Sequence, residues 1–174
     1  LAMTTYEPTE GQLAILMSES SALVTGGPGR GKTATAIAAA KMWLGRHPAP
    51  AQVLFTSFSN AAVKRIAAAA GLDLGAAERR VQYRTFHSLA MEVLRDYGRF
   101  VGLRKPARAL DRTEERIIAA ERGWDTRDEA AYENALKRLA AEEGLVVFQL
   151  MVPLAVSLLR SSATIRQAVG GRFP

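Results

Sequence analysis

The chain has no cysteine among its 174 residues, so disulfides, thiolate metal sites and cysteine nucleophiles are all excluded. Histidine is nearly as scarce. With only His47 and His87 available, a structural zinc site has too few ligands. Long apolar runs are missing too. The longest, Leu145 to Leu159, is broken by Gln149, Pro153 and Ser157, and reads as a buried helix rather than a membrane span. No segment near the first residue has the charged, apolar and small-residue order of a signal peptide, so a cytoplasmic setting with no membrane partner is expected. One more absence matters for the chemistry: nowhere do four apolar residues run into Asp-Glu.

What is present is enough for a packed core, with 48% hydrophobic residues, and a net charge of +6 that is unevenly spread. Residues 1–110 carry 14 Lys and Arg against 7 Asp and Glu, whereas residues 111–174 carry 9 against 10. The basic excess suits a polyanionic partner, nucleic acid being the obvious candidate. Charges that merely solvate a surface explain the same numbers equally well.

The run Gly26-Gly27-Pro28-Gly29-Arg30-Gly31-Lys32-Thr33 satisfies G-x-x-x-x-G-K-[ST]. Ala22-Leu23-Val24 before it reads as a buried strand, and Ala34 to Lys41 after it reads as a helix. Strand, glycine loop and helix form the context in which this pattern cradles phosphate. Glycines let consecutive N–H groups turn inward toward phosphate oxygens, and the first helical amides, through Ala34, add the positive end of the helix dipole. In such a loop Lys32 reaches the outer phosphates and the Thr33 hydroxyl is a Mg²⁺ ligand, which makes these two the catalytic candidates.

Further strands are expected at Val53–Thr56 and Val81–Arg84. Helices are expected from Asn60 to Ala70, ending at Gly71, and from Phe86 to a stop at Gly98. Alternation of this kind predicts an α/β fold, an open parallel sheet with helices on both faces. After Arg104-Lys105-Pro106 the texture changes. Asp111 with Glu114, and Thr126 with Glu129, look like capping boxes of two charged helices that end at Gly123 and Gly144. No strand signal appears there. An all-helical insertion is expected, followed by apolar helices at 145–160 and 163–169.

Two clusters have the chemistry of a single-strand tracking surface, which needs rings for bases to stack on and hydroxyls or amides to hold phosphates. Ser57, Phe58, Ser59 and Asn60 lie at the end of one expected strand, and Thr85, Phe86, His87 and Ser88 at the end of another. Strand ends on the side of the phosphate loop are where an open α/β sheet binds ligands. Each residue also has an ordinary reading: core phenylalanines, a helix cap at Ser59 or Asn60, a surface histidine.

Taken in order, the motifs resemble the N-terminal part of a superfamily 1 DNA helicase of the UvrD/Rep type. Pro8-Thr9-Glu10-Gly11-Gln12 resembles the Q motif, whose glutamine reads the adenine edge, and Gly26 to Thr33 matches motif I. Thr56 to Ala62 is similar to motif Ia, with Ala61 where the family usually has lysine, and Thr85-Phe86-His87-Ser88-Leu89 matches the T-F-H-S-L motif. The resemblance implies ATP and Mg²⁺ as cofactors and single-stranded DNA as partner. It implies a phosphate-loop, RecA-like sheet with a helical subdomain, incomplete in this chain. Residues 1–100 would be most of ATPase domain 1A and 101–145 the start of subdomain 1B, with helices at 146–174 leading toward an acidic strand. That strand and the second RecA-like domain are missing from the sequence, so a fragment is expected. Two other classes remain open: a non-catalytic nucleotide- or single-strand-binding module, and a small phosphoryl-transfer kinase. The kinase has no lid segment to support it.

Overall fold

The computed structural model describes residues 7–18 and 20–173, which fall into two compact units, residues 1–83 with 172–174 and residues 84–171.

In the first unit, α1 (Glu10–Met17) starts at Thr9, whose hydroxyl accepts from the Gln12 N–H while the Gln12 side chain accepts from the Thr9 N–H at 3.0 Å. Such reciprocal capping satisfies two amide donors that a helix start leaves open. The helix α2 (Lys32–Arg46) buries Thr35, Ile37, Ala40 and Leu44 at a helical spacing. Strand β1 (Val53–Ser57) leads to α3 (Asn60–Leu74), and a 3₁₀ turn brings the chain to β2 (Val81–Thr85). Ile37, Leu44, Ala70, Leu74 and Val81 make the core of this unit.

Three expectations are corrected here. Ala22–Val24 is not a strand: Ser21 to Gly27 has no regular structure, and Leu23 is 92% exposed. A strand needs neighbours for its backbone N–H and C=O groups. Among the described residues the sheet contains only β1 and β2, which pair with each other, so the broad open sheet is reduced to two strands. The helix α3 also runs through Gly71 instead of stopping there. Fully buried Ala70 and nearly buried Leu74 continue its apolar stripe, and their packing outweighs the roughly 1 kcal/mol that an interior glycine costs.

The second unit contains α4 (Phe86–Tyr97), β3 (Arg108–Leu110), α5 (Arg112–Glu121), α6 (Glu129–Glu143), β4 (Leu145–Val147), α7 (Phe148–Ser161) and α8 (Ala163–Gly170). Its core is the face of α4 carrying Ala90, Met91, Val93 and Leu94 against α7, with Leu136 and Leu139 of α6 and Leu158 of α7 almost fully buried. The Asp111 capping box forms as expected. Asp111 Oδ1 accepts from the Thr113 and Glu114 amides at 2.7 and 2.8 Å, and the Glu114 carboxylate accepts from the Asp111 N–H at 3.0 Å.

The second expected box does not form. Asp128, not Thr126, caps α6 by accepting from the Ala131 N–H at 3.0 Å, because the helix begins at Glu129, two residues later than the Thr126 box requires. Nor is this stretch strand-free. β3 and β4 pair in parallel, Arg108 with Leu145, Ala109 with Val146 and Leu110 with Val147. Three residues are too few to display alternation. The approach depends on Gly144 at φ +71°, where a side chain's Cβ would lie 2.5 Å from the Pro106 carbonyl oxygen. Among the described residues, no single helix is long and apolar enough to cross a membrane.

Candidate functional site

The glycine loop closes on the start of α2. Gly29 and Gly31 both have positive φ, +74° and +75°, a left-handed region that other residues enter only with strain. Gly31 is the helix N-cap and contributes no side-chain hydrogen bond to it. The first amides of α2 therefore face outward without a cap, which is the arrangement that receives an anion. Gly26, Gly27, Pro28, Gly29 and Arg30 are exposed, as are Lys32, Thr33 and Ala34, so the loop is an open cradle and not an enclosed cavity. Lys32 folds back over it, its Nζ donating to the carbonyls of Gly26 at 2.6 Å and Gly27 at 2.8 Å. The cradle is held from below by buried Thr35, whose hydroxyl donates to the Gly31 carbonyl at 3.0 Å.

Gln12 reaches this loop from α1. Its Nε2 donates to the Arg30 carbonyl at 3.5 Å, and a Cβ at Gly31 would sit 3.0 Å from the same nitrogen. Its Oε1 is engaged by the Thr9 N–H. One N–H and one lone pair of this amide remain for a base edge.

These features fit a polyphosphate. Uncapped amides and an ammonium donate hydrogen bonds, and the lone pairs and negative charge of phosphate oxygens accept them. Within the loop Thr33 is the residue whose side-chain oxygen could hold Mg²⁺, and no cluster of three or more His, Asp or Glu that could hold a metal ion exists among the described residues.

In the first unit, Ser57 ends β1 and Phe58 follows with 83% of its surface exposed, so the core reading of this ring does not hold. Ser59 is the α3 N-cap, its Oγ accepting from the Ala62 N–H at 3.1 Å, and Asn60 opens the helix with an exposed side chain. In the second unit, Thr85 and Ser88 spend their hydroxyls on each other's backbone, the two amides being bound at 2.9 and 3.1 Å. Phe86 is 38% exposed. The imidazole of His87 stacks face to face on Phe148, with centroids 3.7 Å apart and planes 11° from parallel. Phe148 was not legible as a site residue, since it stands at the head of a run that reads as core.

The first unit also contains a cavity of about 970 Å³, which is not lined by the phosphate loop. It is bounded by Ile15 and Leu16 of α1, Ala36, Ala39, Ala40 and Trp43 of α2, and Val53 to Phe55 of β1. Tyr83 stacks on Phe55, and its hydroxyl is buried without a hydrogen-bond partner. Burial, and then the nearby Glu78 carboxylate, raises the Tyr83 hydroxyl above its ordinary pKa.

The geometry defines a class first: a mixed α/β chain whose glycine loop presents free amides and a lysine at a helix start. Residues 8–172 match the UvrD/REP helicase N-terminal domain, and the chain belongs to that helicase family. No curated protein matches it.

Proposed function

We propose that this chain is the N-terminal, ATP-binding part of a DNA helicase that moves along single-stranded DNA. The observation that carries the proposal is the Gly26–Thr33 loop, with left-handed Gly29 and Gly31, an uncapped α2 start and Lys32 above it, in a member of a helicase family. Lys32 and the backbone N–H groups of Gly27 and of Gly29 through Ala34 hold the outer phosphates of ATP, and Thr33 supplies the protein's oxygen to Mg²⁺. Bound Mg²⁺ supplies charge neutralisation at the phosphates. Gln12 lies beside the loop, where it restricts the base to adenine.

The assignment of 1–100 to an ATPase domain, 101–145 to a helical subdomain and 146–174 to returning helices belongs to the same proposal. So does a RecA-like sheet completed by further strands. What supports completion is the lone β1–β2 pair, the 970 Å³ cavity along β1 and the 92% exposure of Leu23. Turnover needs a carboxylate to orient water, and an arginine from a facing domain is worth about 10³–10⁵ in rate. The 174-residue chain alone therefore binds ATP but hydrolyses it near the limit of detection. The second RecA-like domain and single-stranded DNA are the proposed partners, and the setting is cytoplasmic.

Single-strand binding tests the reading. Oligothymidylate should bind weakly, with affinity falling by about 0.7 logarithmic units per phosphate neutralised for each tenfold rise in salt. The double change Phe58→Ala with Phe86→Ala should weaken it more than neutralising Arg112 or Lys137. A folded double variant that binds as the parent chain does would remove the DNA assignment.

A further inference from the structure

We infer that the C-terminal end of α4 carries a second phosphate site, a basic pocket for a compact polyphosphate anion of the inorganic pyrophosphate type. The pocket lies in the second unit, shares no residue with the Gly26–Thr33 loop and does not rest on the nucleotide reading. Arg95, Arg99, Arg104 and Lys105 line a depression of about 260 Å³, and Asp96 is the one carboxylate in its lining. Four cations against one carboxylate leave a net of +3. All four cations are exposed, and none takes part in an ion pair among the described residues. The ion pairs of this unit lie elsewhere, Arg84 with Glu92, Arg108 with Glu114, Arg122 with Glu143 and Lys137 with Glu133. Like charges gathered round a hollow repel one another, and an anion seated between them removes that repulsion.

The segment that presents these cations is fixed in place. A 3₁₀ turn, Gly98–Val101, follows α4, and buried Leu103 folds back against it, its N–H donating to the Gly98 carbonyl at 3.1 Å. A Cβ at Gly98 would lie 2.6 Å from the Leu103 Cδ1, so the glycine is what lets this leucine seat. The Arg104 N–H donates to the Ala141 carbonyl of α6 at 2.7 Å. The Arg99 guanidinium lies over the Phe100 ring, 5.5 Å from its centroid, and a guanidinium steadied in this way keeps its in-plane N–H groups for a phosphate. The occupant is a compact anion and not a nucleic-acid backbone because the basic surface is local. Residues 111–174, which include most of this unit, carry 9 Lys and Arg against 10 Asp and Glu. A long polyanion leaving the pocket therefore meets no continuing basic track. Two or three linked phosphates suit the hollow better than one, since four charged donors surround it.

Titration calorimetry with inorganic pyrophosphate tests the site, in the full chain carrying Lys32→Ala to remove the cation folded over the phosphate loop. That background should still bind pyrophosphate. Adding Arg99→Gln with Lys105→Gln should weaken binding about tenfold or more, as expected for loss of two charge-assisted contacts at an exposed site. Adding Asp96→Asn instead should tighten binding, because the one opposing charge goes, and damage to the fold does not produce that effect. Arg112→Gln with Arg127→Gln makes the same change of net charge outside the pocket and should alter affinity by less than about twofold. Thermal melting checks the fold of each variant. If the pocket pair melts early, Asp96→Asn decides alone, and unchanged affinity there overturns the site. Pyrophosphate binding abolished by Lys32→Ala overturns it as well, as does a control pair as damaging as the pocket pair. A short DNA duplex should fail to displace pyrophosphate from the pocket; displacement at equal phosphate concentration would assign these cations to a nucleic-acid backbone and overturn the compact-anion site.

Discussion

Replacing Gly31 by alanine places a Cβ where the backbone has φ +75°, and the same change at Gly29 does so at φ +74°. A left-handed conformation costs a residue with a Cβ roughly 1–2 kcal/mol. At Gly29 nothing lies within 4 Å of the added atom, so backbone strain is the whole effect. At Gly31 the Cβ also meets the Gln12 Nε2 at 3.0 Å. That nitrogen is the tip of a flexible side chain, and its bond to the Arg30 carbonyl, at 3.5 Å, is weak. Moving it aside costs little. The loop is exposed and lies outside the core, so each variant escapes strain by adopting another loop shape while the unit stays folded. Binding must then restore the left-handed turn, and the cost appears in Kd rather than in Tm. Both variants should bind ATP with Mg²⁺ about 5–30-fold more weakly, the factor that one or two kcal/mol represents, and should differ from each other by less than about threefold. Calorimetric titration beside thermal melting measures both. Unchanged affinity in both variants would refute the claim that the turn shapes the phosphate cradle. A large loss at Gly31 with none at Gly29 would transfer the effect to Gln12.

Three further outcomes follow from the geometry. Thr33→Ala should weaken nucleotide binding in the presence of Mg²⁺ and leave the Mg²⁺-free affinity close to that of the parent; titrations with and without the ion separate the two. Gln12→Ala should reduce the preference for ATP over GTP, because an amide pairs with the donor–acceptor edge of adenine, and it should also loosen the α1 start, where the Gln12 side chain holds the Thr9 N–H. Competition titration measures the preference. The Tyr132 hydroxyl, pushed up to about 12 by burial and then by its 2.8 Å bond to the Glu115 carboxylate, keeps its proton in the folded chain beyond the ordinary value near 10. Its stabilising contribution is thus complete below about pH 10 and is lost as pH rises through about 12. Denaturation across that window should steepen less in Tyr132→Phe than in the parent chain.

Local chemistry made parts of this structure legible in advance. The Asp111–Glu114 box and the stop at Gly144 follow from side chains acting within a turn of their own backbone, and both are found where the residues predict them. The helix after the glycine loop also runs as its apolar spacing requires. Features that depend on distant partners were not legible. Ala22–Val24 has the composition of a strand, but pairing decides the matter and no partner lies beside it among the described residues. β3 and β4 are each three residues long and exist because Gly144 lets two backbones approach. At the candidate site, the loop's residues were readable from spacing alone. Gln12 was read for a base, and its capping bond with Thr9 went unseen although both residues stood in view. Phe148 reaches His87 across sixty-one positions, and nothing in either neighbourhood announces the stack.

The central claim is that the Gly26–Thr33 loop binds nucleotide through its amides and Lys32. Lys32 is the side-chain cation folded over the loop, held by the Gly26 and Gly27 carbonyls at 2.6 and 2.8 Å. A charge-assisted hydrogen bond is worth about 1.5–3 kcal/mol, so Lys32→Ala should weaken ATP binding by roughly 10–150-fold while the chain melts as the parent does. Titration calorimetry of parent and variant with ATP and Mg²⁺ decides it. Loss of that size in a folded variant is the result predicted, and equal affinity in the two proteins would contradict the account.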